Sequence, residues 1–272
     1  KKEEKIKELQ SFIARFSANL SKSRQATSRK KLLEKLNIEE IEPSTRRYPY
    51  VDFKITRECG NDILIVENLT KKPYFENLSF TVDKNDKIVF LSDNTLVTTT
   101  LFDVLMGKTE ADFGTIKWGV TITSDYMPGD NSEYFNKLGM NMCDWIRQYS
   151  GDEQTDTFVR GWLGRMLFSG DDVFKEVSVL SGGEKVRLML AKLMLSGANV
   201  ILLDDPSNHL DLETITSLNN GMIRYKGNLL FTSHDHEIIS TVANRVISFK
   251  NNEIIDRKMT YEEYLERFER EH

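Results

Sequence analysis

The chain has 272 residues, enough for one large α/β domain or two small ones. Charged residues make up 29% and hydrophobic ones 39%, an ordinary globular balance in which no apolar run approaches the ~18 residues of a membrane span and no secretory leader is visible. The net charge of −5 is uneven: residues 1–35 hold eleven Lys/Arg against four Asp/Glu, or +7, which leaves −12 for the remainder. A basic arm on an acidic body is the asymmetry of a protein that touches nucleic acid locally, or simply of a solvated basic helix. Two cysteines, Cys59 and Cys143, lack metal-ligand spacing, and a reducing cytoplasm is their simplest setting. The first residue is Lys1 rather than Met, so a fragment or a missing start is expected.

In chain order, Ile6, Leu9, Phe12, Ile13, Phe16 and Leu20 recur at steps of three and four and predict an amphipathic helix. Residues 21–31 are rich in cations and hydroxyls; Leu32, Leu33 and Leu36 then resume a helical pattern that Pro43 closes. Residues 1–42 thus read as helix, basic stretch, helix, residues 43–61 as a connector, and residues 62–272 as the main domain. Residues 63–66, 78–82 and 88–91 read as short strands between polar turns. A polar loop from Ser92 follows, then Thr98, Thr99 and Thr100, then an apolar helix. Residues 131–179 form a helical insert by pattern, its aromatics read as core.

The most informative stretch begins at Leu180. Ser181, Gly182, Gly183 and Glu184 stand where a loop becomes an apolar helix running to Ser196. Glycines lack Cβ, so backbone N–H groups can approach a ligand closely, and a helix N-terminus suits phosphate. Residues 200–203 read as a buried parallel strand that runs into Asp204 and Asp205. Carboxylates there lie at the crevice where open α/β sheets bind ligands; Asp204 suits Mg²⁺ and Asp205 a water. A second apolar strand, residues 228–232, leads to His234, placed for a γ-phosphate. Taken alone, each piece has an ordinary reading as a helix start or an N-cap; the order and spacing are what carry weight. Residues 243–249 and 253–256 read as strands about a turn at Asn251 and Asn252, and residues 260–265 as a closing helix.

In this order the pieces resemble an ATP-binding cassette (ABC) nucleotide-binding domain. Leu180 to Glu184 resemble the signature, Ile201 to Asp205 the Walker B strand, Ser207 to Asp211 the D-loop, and His234 the switch histidine. Asn208, His209, Leu210 and Asp211 resemble the ABC-F form, a class of soluble proteins with two cassettes on one chain and no transmembrane domains. Members studied as translation factors act at the ribosomal E site. The resemblance implies an α/β P-loop NTPase cassette: a RecA-like core, an antiparallel β region and a helical signature subdomain, preceded by an N-terminal α-helical linker arm. Arg15, Phe16, Asn19, Gln25, Ala26, Leu33 and Glu34 resemble the end of the ABC-F interdomain linker. On that resemblance Lys22, Arg24, Arg29, Lys30 and Lys31 contact ribosomal or transfer RNA through its phosphates.

The resemblance then calls for a phosphate loop of the form G-x-x-x-x-G-K-[ST]. Ser92, Thr95 and Val97 hold its glycine positions and Thr98 its lysine position, with Asn94, Thr99 and Thr100 completing the nucleotide-facing set. β-Branched Thr95 and Val97 resist the φ > 0 that a cradle of N–H groups needs, Asp93 adds a like charge, and Thr99 alone keeps a role as a Mg²⁺ hydroxyl. Tyr74 stands near the place of an adenine-stacking aromatic, although Tyr74 and Phe75 read first as core; Gly107, Gly114, Thr115 and Trp118 fit the pattern after the helix. Gly129 stands where the family often has Gln, and Asp205 where it usually has Glu, which shortens the water-positioning group by one methylene. The cofactors implied are ATP and Mg²⁺, weakly held or absent at this half's own site. The partners implied are the first cassette of the same full-length protein, whose site Ser181, Gly182, Gly183 and Glu184 would complete, and the ribosome, with no membrane insertion. An ATP-binding subunit of an ABC membrane transporter is the alternative, and a binding half without an ATP role a third reading.

Overall fold

A computed structural model of the chain describes residues 47–250 and 253–268. The arm readings, with Lys22, Arg24, Arg29, Lys30 and Lys31, fall outside those residues. Two sheets carry the fold. In the smaller, β1 (Leu64–Lys71) pairs antiparallel with β2 (Phe75–Val82) on one side and with β4 (Phe113–Trp118) on the other. The larger sheet runs β5 (Ser124–Met127), β6 (Val200–Leu203), β7 (Asn228–Phe231), β3 (Lys87–Ser92), β8 (Arg245–Lys250), β9 (Glu253–Arg257). Its first five strands are parallel and β9 turns back antiparallel.

Every residue of β6 and β7 is buried, which is why residues 200–203 and 229–231 appear in the sequence as apolar runs rather than alternations; Asn228, which opens β7, is buried with its amide donating to Asp83 O. Six described residues of the adjoining helix α1 (Thr95–Leu105) are buried, among them Leu101 and Phe102, and Phe102 packs edge-on against Phe90 of β3 at 5.4 Å. With the antiparallel sheet, this forms one core. The other core lies under α4 (Gly182–Ser196), α5 (Leu212–Arg224), α6 (His236–Val242) and α7 (Tyr261–Phe268), and takes in the helical segment between β5 and α4. That segment contains α2 (Met142–Arg147), α3 (Asp156–Arg165) and three short 3₁₀ turns. Lys192 ties α4 to β5 through an ion pair with Asp125 at 2.7 Å. Cys59 and Cys143 are buried free thiols.

Buried polar groups fix the sheet ends. Arg245, 5% exposed, gives its guanidinium to both oxygens of Asp256 (2.8 and 2.6 Å), to Asp86 (2.8 Å) and to the carbonyl of Thr81 (2.7 Å). One cation thus holds β2, β8, β9 and the turn before β3 in register; burial at this depth is tolerated because every donor has a partner.

The residues before β1 pack into the cassette as a strap. Tyr50 N–H donates to Arg165 O (2.7 Å) and Thr56 N–H to Gly197 O (3.0 Å). The Arg224 guanidinium donates to Val51 O and the Asn199 amide to Arg57 O, each at 3.0 Å. The strap therefore touches α3, the end of α4 and α5. It also passes close over Gly221, where a Cβ would lie 2.8 Å from Val51 Cγ1 and 2.9 Å from Val51 O. Gly221→Ala is expected to lift the strap and to cost on the order of 1–3 kcal/mol by overpacking. Urea unfolding, with limited proteolysis between residues 48 and 62, checks this; unchanged stability and unchanged cleavage would contradict it.

Candidate nucleotide site

Four elements converge on one cleft: the C-terminal ends of the parallel strands β3, β6 and β7, and the start of α1. The cleft holds about 830 Å³ and is lined by Ser92, Thr95, Thr98, Thr99, Gly129, Asp204, Asp205 and His234, among others. The crevice beyond the carboxyl ends of parallel strands is where such sheets take ligands. Asp204 is 5% exposed at the end of β6. Its two oxygens accept from hydroxyls on different elements: Thr99 Oγ1 of α1 at 2.6 Å and Thr232 Oγ1, just past β7, at 2.8 Å. Thr232 Oγ1 also accepts the Asp205 N–H at 2.8 Å, which orders the turn where Asp205 takes φ 46°. Asp205 is half-buried and His234 exposed at the rim. A hydroxyl and a carboxylate at this spacing are hard oxygen donors and fit Mg²⁺.

The segment before α1 differs from the loop expected through Thr98. The helix begins at Thr95, so Thr95, Val97 and Thr98 are helical and only Asp93 and Asn94 lie between it and β3. The physical reason is the cap. Asn94 Oδ1 accepts the Leu96 N–H at 3.1 Å, and Val97 N–H donates to Asn94 O at 3.0 Å. Asn is among the strongest N-cap residues, and Thr95 and Val97 have no need to leave the helical region. Thr98 is buried and its hydroxyl donates to Thr95 O at 2.9 Å. Asn94 and Val97 face a neighbouring cleft of about 750 Å³ shared with Tyr74, while Thr100 lines neither. Tyr74 is half-buried there, and Phe75 is the core residue.

The signature residues form a separate concavity of about 440 Å³ with Arg187, His209 and Asp211. Ser181 caps α4: its Oγ accepts the Glu184 N–H at 3.3 Å, and Glu184 Oε2 accepts the Ser181 N–H at 2.9 Å, a reciprocal capping box. Burial alone would raise the Glu184 carboxyl, but the Ser181 hydrogen bonds and the Lys175 ammonium at 3.2 Å outweigh it and hold the group below the ordinary glutamate range. Gly182 and Gly183 lie in the first turn, and the turn after β6 packs on them. A Cβ on Gly183 would stand 2.8 Å from His209 O, so close backbone approach, not φ, requires glycine here. Gly129 lies next to Asp204: a Cβ there would be 3.4 Å from Asp204 Oδ2.

Two family models match, both described as ABC transporter, one over residues 75–208 and one over residues 1–53. This chain carries an ABC ATP-binding cassette. It is 59% identical over 270 residues, 98% of the chain and 50% of the relative, to the ABC transporter ATP-binding protein YkpA of Bacillus subtilis. It is 31% identical over 221 residues, 76% of the chain and 39% of the relative, to the energy-dependent translational throttle protein EttA of Escherichia coli. It is 29% identical to ABC transporter F family member 5 of Arabidopsis thaliana over 98% of the chain and 39% of that protein, so its homologues include ABC-F members. The chain spans about half the length of the curated relatives it matches. Among solved structures, a dimeric ATP-binding cassette in a post-hydrolysis state with ADP and Pi superposes with a TM-score of 0.60 at 14% identity, covering 72% of this chain and 99% of that one. The cassette fold is the shared feature at such identity.

Sequence reasoning brings together Thr99, Asp204, Asp205 and His234 as one site, and the cassette places all four in one cleft. It misses Thr232, whose signal was a hydroxyl directly after the apolar residues 229–231. Thr99→Val leaves Asp204 Oδ2 without its donor in a buried setting, and a hydrogen bond to a charged group contributes about 1.5–3 kcal/mol. A loss of that size in urea unfolding is expected; a loss below about 0.5 kcal/mol, the scale of an unremarkable surface change, would contradict the assignment.

Proposed function

We propose that this chain is the second nucleotide-binding half of a cytoplasmic, two-cassette ABC-F ATPase that acts on the ribosome, and that its own phosphate site is weak or silent. The observation that carries this is the contrast between two helix starts. The capping box of α4 leaves the first-turn glycines at an open concavity, as a signature serving a nucleotide held by another cassette requires. The start of α1 is closed on itself by Asn94, with Thr98 where the lysine would stand. In this reading Ser181, Gly182, Gly183 and Glu184 complete the ATP site of the first cassette, and ATP hydrolysis by the full-length protein takes place there. At this half's own site, Thr99 and Asp204 hold Mg²⁺, Asp205 orients water poorly, and His234 serves structure. The 31% identity to a protein named as a translational throttle supports the ribosomal role. Contacts of Lys22, Arg24, Arg29, Lys30 and Lys31 with ribosomal or transfer RNA belong to the same proposal.

A second reading, an ATP-binding subunit of a membrane transporter, is favoured by the names of several relatives. Among the described residues no helix is long and apolar enough to cross a membrane.

Co-sedimentation of the full-length protein with ribosomes through a sucrose cushion distinguishes the two. Pelleting with ATP but not ADP, weakening as salt rises because phosphate contacts release counterions, is the expected result. No pelleting in either nucleotide at either salt would sink the ribosomal reading.

A further inference from the structure

The clefts of about 830 and 750 Å³ share one wall, made by Ser92, Asp93, Phe249 and Lys250. β8 runs parallel to β3 with Phe249 opposite Ser92, so Lys250 emerges beside the segment that replaces the phosphate loop. Among the described residues lining the larger cleft, Lys250 is the one Lys or Arg. It is half-buried, and no hydrogen bond or ion pair to another described residue holds it, whereas Lys108, Lys175, Lys192 and Lys258 are each paired with a carboxylate.

Resting on the reading of this cleft as a nucleotide site, we propose that Lys250 is its phosphate-binding cation. The ligand class is a nucleoside polyphosphate carried as its Mg²⁺ complex. Its base lies on the Tyr74 side of the shared wall, and its phosphates pass Lys250 toward Thr99 and Asp204. The charge balance requires the metal. Asp93, Asp130, Asp204 and Asp205 face this cleft against a single lysine, so a bare polyphosphate meets more negative than positive charge. Position 98 cannot serve, because Thr98 is buried with its hydroxyl spent on Thr95 O. The first-turn amides of Leu96 and Val97 are already engaged by Asn94. A lysine from β8 stands beside this segment on the shared wall, and as a point charge on a flexible stem it does not depend on a fixed loop.

The test is a titration of the 272-residue chain with a fluorescent ATP analogue, with and without Mg²⁺, at low salt. Wild type is expected to bind with Mg²⁺ and more weakly without it. Lys250→Ala is expected to weaken binding by about tenfold or more, the scale of one lost charge-assisted hydrogen bond, and Lys250→Arg to retain most of it. Lys250→Gln keeps the stem and serves if the alanine variant misfolds; circular dichroism checks each. AMP is expected to compete poorly, since Lys250 is assigned to the polyphosphate. Binding that Lys250→Ala and Lys250→Gln leave unchanged would overturn the inference and leave the functional reading intact. No binding by wild type at all would also overturn it, while agreeing with a silent site. Ribosome pelleting tests the functional reading independently of either outcome.

Discussion

A carboxylate that is 5% exposed needs donors, and Asp204 takes one from α1 and one from the end of β7. An unpaired charge in that position would be costly. The two hydroxyls therefore do more than satisfy an acid. Thr99 pins the first turns of α1 to β6, and Thr232 bridges β6 to β7 while accepting the Asp205 N–H. The mouth of the parallel sheet is thus closed into one rigid constellation before any ligand arrives. The position of His234, just beyond Thr232, follows from the same lock.

That lock separates two features that a nucleotide site combines. The half proposed to face a metal, Thr99 and Asp204, is joined by a hydrogen bond. The phosphate-facing half has become an ordinary helix start: Asn94 caps, Thr95 opens the helix, and the donors that an anion would take are used within the chain. At the other concavity the reverse holds. Ser181 and Glu184 cap each other through side chains, and Gly182 and Gly183 line the concavity with His209 packed close against both. The two ends of one cassette are specialised in opposite directions, and the proposal of an asymmetric pair of sites rests on that difference.

The elements most legible in the sequence were those buried on both faces. β6 and residues 229–231 of β7 stand out as apolar runs because no residue of either strand meets water. β4 left no such trace: most of its residues are exposed, and it is recruited by pairing to β1 rather than by an apolar stripe. Thr99, Asp204, Asp205 and His234 were legible because each sits at a fixed offset from a recognisable strand or helix. The pattern reads as a polar loop from Ser92, then the threonines, then an apolar helix; the N-cap of Asn94 starts α1 at Thr95, ahead of the threonines that follow. Lys250 carried no motif at all; its place depends on the β3–β8 register, which only the assembled sheet reveals.

The central claim is that the segment from Ser92 to Thr98, not the carboxylate lock, limits nucleotide binding at this cleft. Calorimetric titration of Mg-ATP into the wild-type chain and into a variant carrying Ser92→Gly, Thr95→Gly, Val97→Gly and Thr98→Lys tests it most directly. Weak binding by wild type is expected, with a gain of about tenfold or more, worth about 1.4 kcal/mol, when glycines and a lysine return. Wild-type binding already in the range of about 1 μM or tighter, about −8.2 kcal/mol, with no gain in the variant, would contradict it.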